Sequence, residues 1–147
     1  MLFNKKSVSA VLYLGLILAG GAGVAKAQVI DTVQATIPFQ FQAGLAVFPA
    51  GTYTIRSVDT LVPSEMEIRS IDGRKSALFI VESDQAKQAP ENSELIFEKV
   101  GDRFSLENIF DGGSAYGDEV VGYKHEKHLT MEAAAQQVTV PATHAGM

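Results

Sequence analysis

From Val29 to Gln42 the chain alternates apolar and polar side chains. Val29, Val33, Ala35, Ile37, Phe39 and Phe41 fall on one face, and Thr32, Gln34, Thr36, Gln40 and Gln42 on the other. A two-residue period of this length marks a strand with one dry and one wet face. It commits this part of the chain to a sheet whose apolar face the rest of the molecule must cover. Pro38 has no N–H to give to a ladder, which predicts an edge position or a bulge there.

The same period returns along the chain, separated by turn residues. Pro49-Ala50-Gly51 makes a turn, because proline presets φ and glycine accepts conformations that other residues resist. The strand Thr52 to Val58 follows, rich in the β-branched and aromatic residues that suit a half-buried pleat. Met66 and Ile68 alternate with Glu65, Glu67 and Arg69, and Asp72-Gly73 is a strong short hairpin signal. On the return, Ala77, Phe79 and Val81 alternate with Leu78 and Ile80, so this strand is apolar on both faces and is expected to be covered on both. Ser83 to Ser93 reads as a loop. A second hairpin runs from Glu94 to Phe110 around Gly101-Asp102, with Leu95, Phe97, Phe104, Leu106 and Phe110 directed inward. Short strands joined by tight turns predict an all-β domain, a single antiparallel sandwich or small barrel of about seven to eight strands.

The N-terminus has a different grammar. Lys5 and Lys6 precede an apolar run from Val8 to about Ala25, and Ala25-Lys26-Ala27 places small residues where a signal peptidase reads them. The expectation is a signal peptide over residues 1–27, cleaved before Gln28; the alternative is an uncleaved anchor, for which the glycine-interrupted run is short. Cleavage would place the protein outside the cytoplasm, periplasmic or extracellular. The segment holds three of the twelve basic residues and no acid, so nine basic face seventeen acidic residues in the remainder, a formal charge of −8. Such a surface disfavours nucleic acid as a partner. No cysteine is present, so disulfides, thiolate chemistry and cysteine-ligated zinc are excluded and the core alone must hold the domain.

The order IPFQFQAG, FPAGTYTIR, EIRSIDGR and ELIFEKVGDRFSLENIF, followed by a glycine-rich loop, resembles a group of short exported β proteins common in Acidobacteria. That group carries a signal peptide, a Val-Pro-Phe-x-Phe strand, Leu-Pro-Ala-Gly-Thr-Tyr, an Asp-Gly turn and a Gly-Asp-x-Tyr/Phe-x-Leu hairpin. The likeness runs from Thr36 to Gly117 and implies fold and export, with no activity attached. Phe110 stands where the group usually has tryptophan, and Asp118 to Tyr123 replaces its basic tail.

Beyond Phe110 the chemistry is sparse. Asp111 to Asp118 lacks the spacing of a calcium loop and reads as a solvated connector. Ser114 lacks the flanking glycine of a nucleophile elbow. His125 and His128 stand three apart, one short of the zinc-protease spacing, with Glu132 a turn further on; a solvated, locally basic stretch explains them. Lys124 to Gln137 has the composition of a C-terminal helix, Val138 to Val140 of a last short strand closed by Pro141, and the segment from residue 124 is expected to end in a frayed tail containing His144. Catalytic, cofactor and metal residues are therefore expected to be none, and Asp72 and Asp102 to be turn formers rather than acids at work. The leading expectation is an exported, non-catalytic β-domain that binds or builds at the cell envelope, its partner a protein or a glycan. The alternative is a small hydrophobic-ligand carrier, with Phe39, Phe41, Tyr53, Phe97 and Phe104 lining a cavity. A third expectation is oligomer formation through the proline-bearing first strand.

Overall fold

The computed structural model describes residues 32–59, 61, 64–122 and 135–145. Residues 1–27 with the cleavage positions Ala25, Ala27 and Gln28, the His125/His128 pair and the body of the expected helix lie outside them.

Among the described residues ten strands form: β1 (Val33–Ile37), β2 (Phe41–Ala43), β3 (Ala46–Phe48), β4 (Gly51–Ser57), β5 (Glu65–Ser70), β6 (Ser76–Gln85), β7 (Glu94–Val100), β8 (Arg103–Phe110), β9 (Tyr116–Val120) and β10 (Gln136–His144). Eight of them close into an antiparallel barrel, in the order β8, β7, β10, β1, β4, β5, β6, β9 and back to β8. Closure is made by three residue pairs, Asn108 with Glu119, Ile109 with Asp118 and Phe110 with Gly117. The choice between sandwich and barrel thus falls on the barrel. The short β2–β3 hairpin is the addition: β2 pairs in parallel with β8 through Gln42 and Ser105.

Pro38 breaks the first alternating run, so that Val33–Ile37 and Phe41–Ala43 become separate strands. β1 is bonded on both sides, to β4 and β10, and is no edge; assembly through it has no free ladder to use. β10 does not stop at Pro141 but runs on to His144, and Gln136 and Gln137, the end of the expected helix, are its first residues. Pro141 falls where the partner changes: β7 pairs with residues 136–141 and β1 with 142–144, so the missing N–H is never called on. β6 likewise runs on to Gln85, into the expected loop, and Tyr116–Val120 is a wall strand rather than a connector.

The core follows the alternation. Ile37, Phe41, Phe48, Tyr53, Ile68, Val81, Leu95, Phe97, Leu106 and Val120 are all buried. One expected member is displaced. A bulge between Ile96 and Phe97 leaves Glu107 without an opposite residue, and the facing of β8 reverses beyond it. Ile109 therefore joins the core, whereas Phe110 is buried outside the core cluster, its ring over Gly117 of β9.

Candidate interaction surface

The barrel interior leaves no room for a guest around its aromatic end. Phe41 lies 5.4 Å from Phe48, 5.2 Å from Tyr53 and 5.5 Å from Phe97, centroid to centroid, and Phe39 stacks on Phe104 at 3.9 Å. Phe41, Phe48, Phe97 and Tyr53 keep at most 2% of their surfaces accessible to water, which a water-sized void beside them would raise. The five aromatics are thus brought together, but on one another. The Tyr53 hydroxyl donates to the Pro49 carbonyl at 2.6 Å, and burial, with the Asp72 carboxylate second, raises its pKa.

The polar groups of the chain are mostly spoken for. The Asp72 carboxylate accepts from the Arg74 N–H and the Ser70 hydroxyl, which close the β5–β6 turn and lower its pKa. Asp102 follows Gly101, whose φ of 61° makes the tight β7–β8 turn. Ser93 Oγ accepts the Gly112 N–H at 3.0 Å and lies 3.4 Å from His144 Nε2. This Ser–His contact was not legible in the sequence, because β10 had to reach His144 to make it. Ser93 is buried and ties loop 86–93 to Gly112 in the loop after β8 and to His144 at the end of β10. Asp118 is half-buried; desolvation, and then the Asp111 carboxylate, push its pKa up to about 6. Among the described residues no three of His, Asp and Glu converge where a metal would sit. A groove of about 510 Å³ runs along loop 86–93 beside the outward Thr139 and Pro141, open to solvent. No helix among the described residues is long and apolar enough to cross a membrane.

What stands out is on the outside. Leu78 and Ile80 of β6 are 56% and 50% exposed, against the expectation that this strand is covered on both faces. The reason is topological: β6 lies in a closed wall, with one face to the core and the other to solvent. β9 pairs with β6 only from Val81 to Gln85, and β5 pairs with it from Ser76 to Ile80. Below Val81, and apart from the Val121 N–H on the Ile80 carbonyl, the other edge of β6 has no ladder partner among the described residues. The β2–β3 hairpin stands beside that edge instead. A Cβ on Gly44 would lie 2.9 Å from Phe79 Cβ, and the Lys75 ammonium donates to the Val47 carbonyl while sitting 5.1 Å over the Phe48 ring. The φ of +58° at Gly44 supplies the hairpin's sharp turn.

This approach brings the hairpin that carries the exposed Leu45 and Val47 to the strand that carries Leu78 and Ile80. Val121 adjoins them, its N–H bonded to the Ile80 carbonyl at 2.8 Å. The result is an apolar stripe along an incompletely paired seam, a combination that folded proteins ordinarily cover or charge. On the β5 side it is bordered by Glu67, whose carboxylate takes a guanidinium on each oxygen, Arg56 at 2.7 Å and Arg69 at 2.7 Å. Those bonds, that of Arg69 first, hold its pKa low although its side chain is nearly buried. The trio lies beside the stripe, Glu67 directly opposite Leu78. The sequence did carry the signal, a strand apolar on both faces; what it lacked was any sign that nothing in the wall covers the second face. No family model, curated protein or solved structure matches the chain.

Proposed function

We infer that this protein is an exported, non-catalytic β-barrel that acts as a binding or structural module at the cell envelope, meeting its partner through the seam between β3 and β6. The observation that carries the reading is the exposure of Leu78 and Ile80 on the barrel wall and of Leu45 and Val47 on the neighbouring hairpin, beside a strand edge only partly paired among the described residues. Apolar side chains on a scaffold that cannot collapse to hide them favour a partner that does. The basic-then-apolar N-terminal segment and the resemblance to short exported β proteins support export. The tight aromatic packing inside the barrel favours a surface role over carriage of a small ligand.

The test joins mass and location. Native mass spectrometry of the protein from its own cells should give a chain starting at Gln28 with no adduct. A retained residue 1–27 segment would overturn export, and a small molecule released on denaturation would restore the carrier. Envelope fractions should retain the wild type and release the Leu78→Ser/Ile80→Ser double variant; equal retention of the two would remove the seam from the proposal.

A further inference from the structure

The column of outward residues on β6 has a direction. It runs from Ser76, which the exposed Lys75 precedes at the turn, through Leu78 and Ile80 to Glu82 and Asp84. Alongside it the same polarity recurs on β5: Arg69 stands opposite Ser76, and Glu65 opposite Ile80. Glu82 is in turn opposite Glu119 on β9. The stripe is thus basic at the turn end, apolar in the middle and acidic at the far end. Lys75, Arg69 and Glu82 are all exposed.

A surface of that kind is complementary to itself when reversed. We propose that the partner of this face is a second copy of the chain, docked about a two-fold axis that lies in the interface and crosses β6 between Leu78 and Ile80. The inference rests on the reading of the seam as an interaction surface and names its occupant. Rotation about such an axis keeps β5 over β5 and reverses β6. Leu78 then meets the partner's Ile80, and Lys75 and Arg69 face the partner's Glu82. Leu45 and Val47 extend the apolar contact over the β2–β3 hairpin. The arrangement is isologous, so every contact occurs twice, and it closes at two copies without leaving a half-filled face. Opposed charges at both ends fix the antiparallel sense, because the parallel alternative would set Glu82 on Glu82 and Lys75 on Lys75. The Arg56–Glu67–Arg69 trio lies within this face: the axis brings Glu67 over the partner's Glu65, and the two guanidiniums bound to Glu67, each about half exposed, offset the like charges.

The experiment is sedimentation equilibrium of the exported protein from about 1 to about 200 µM, a range that spans ordinary dimer affinities. The wild type is expected to dimerise. Lys75→Glu and Glu82→Lys, each alone, set like charges against each other at both ends and should raise Kd about tenfold or more. In a mixture of the two, the carboxylate introduced by Lys75→Glu meets the ammonium introduced by Glu82→Lys. The unaltered Lys75 of one chain then meets the unaltered Glu82 of the other, so the mixture should recover a mixed dimer that neither variant forms alone. Thermal melts of both variants guard against a hairpin loosened by loss of the Lys75–Val47 contact, and Leu78→Asp supplies a monomer with Lys75 intact. A wild type that stays monomeric throughout, or a mixture that fails to recover, overturns the proposal. If a monomeric wild type is still released from envelope fractions by Leu78→Ser/Ile80→Ser, only the identity of the partner falls. If it is not released, the interaction surface falls with it.

Discussion

Gly117→Ala tests the closure of the barrel at one of its two shortest ladders. Gly117 has no unusual backbone angle, so its need is spatial. A Cβ there would lie 2.5 Å from the Ile109 carbonyl oxygen and collide with the Phe110 ring. Ordinary carbon–oxygen contacts begin near 3.3 Å, so β9 must retreat from β8 by about 0.8 Å. That stretches hydrogen bonds of about 2.9 Å beyond about 3.5 Å, where they cease to count. The β8–β9 ladder is only three pairs long, and loss of about two bonds costs about 2 kcal/mol. Displacement of the Phe110 ring, buried to 4% exposure, adds about 1 kcal/mol. The expected loss is about 3 kcal/mol, or about 10–15 °C in Tm for a domain of this size. Urea melts at one fixed low protein concentration measure it without a contribution from self-association. Phe110→Ala in the same chain relieves the ring but not the carbonyl, so it should recover only part of the interaction in a double-variant cycle. A Gly117→Ala protein within about 2 °C of the wild type would refute the claim that this close approach closes the barrel.

Other outcomes follow from groups already placed. Asp118, with a folded pKa of about 6 against an ordinary value of 3.8, binds a proton more readily folded than unfolded. Stability should therefore rise as pH falls from about 7 toward 4, by about 1 kcal/mol once solvent screening of this half-exposed group is allowed for. Asp118→Asn should flatten that rise in denaturant midpoints taken across the range. Glu67 has the opposite sign: its lowered pKa contributes stability that is present above the ordinary value of 4.5 and lost as pH falls through the folded pKa. Glu67→Gln should cost about 1–3 kcal/mol at pH 7, read by urea melts, because two guanidiniums lose a shared carboxylate. Tyr53→Phe leaves the Pro49 carbonyl without its donor and should cost about 1 kcal/mol in the same assay. Gly44→Ala combines a φ of +58° with a 2.9 Å approach to Phe79 Cβ, and should cost about 2–4 kcal/mol while shifting near-ultraviolet signals of the aromatic cluster.

Local rules carried much of the fold. The period of two located Val33, Ala35 and Ile37 on the core face, and the turns at Asp72-Gly73 and Gly101-Asp102 fall where their chemistry puts them. What local rules do not reach is pairing between distant strands. Closure depends on β9, drawn from an acidic, glycine-rich stretch with little strand character, and only its pairing with the distant β6 and β8 makes it a strand. The facing of Phe110 was hidden for a related reason. One bulge at Ile96/Phe97 reverses everything beyond Glu107, and no residue type there announces it. Leu78 and Ile80 were visible as an anomaly, yet burial and recognition write the same residues into a strand.

The position of β10 has a consequence for the life of the chain before it is folded. The last strand in sequence sits between the first and β7, and Val33 pairs with His144. Bringing those ends together carries nearly the full loop-closure cost of the chain, and such non-local pairing is slow. Synthesis delivers β1 through β9 as an open sheet with a gap between β1 and β7, and no amount of waiting fills it until Gln136–His144 arrive. A chain built this way cannot close its wall for as long as it is being made. It becomes a barrel only once Gln136–His144 are delivered.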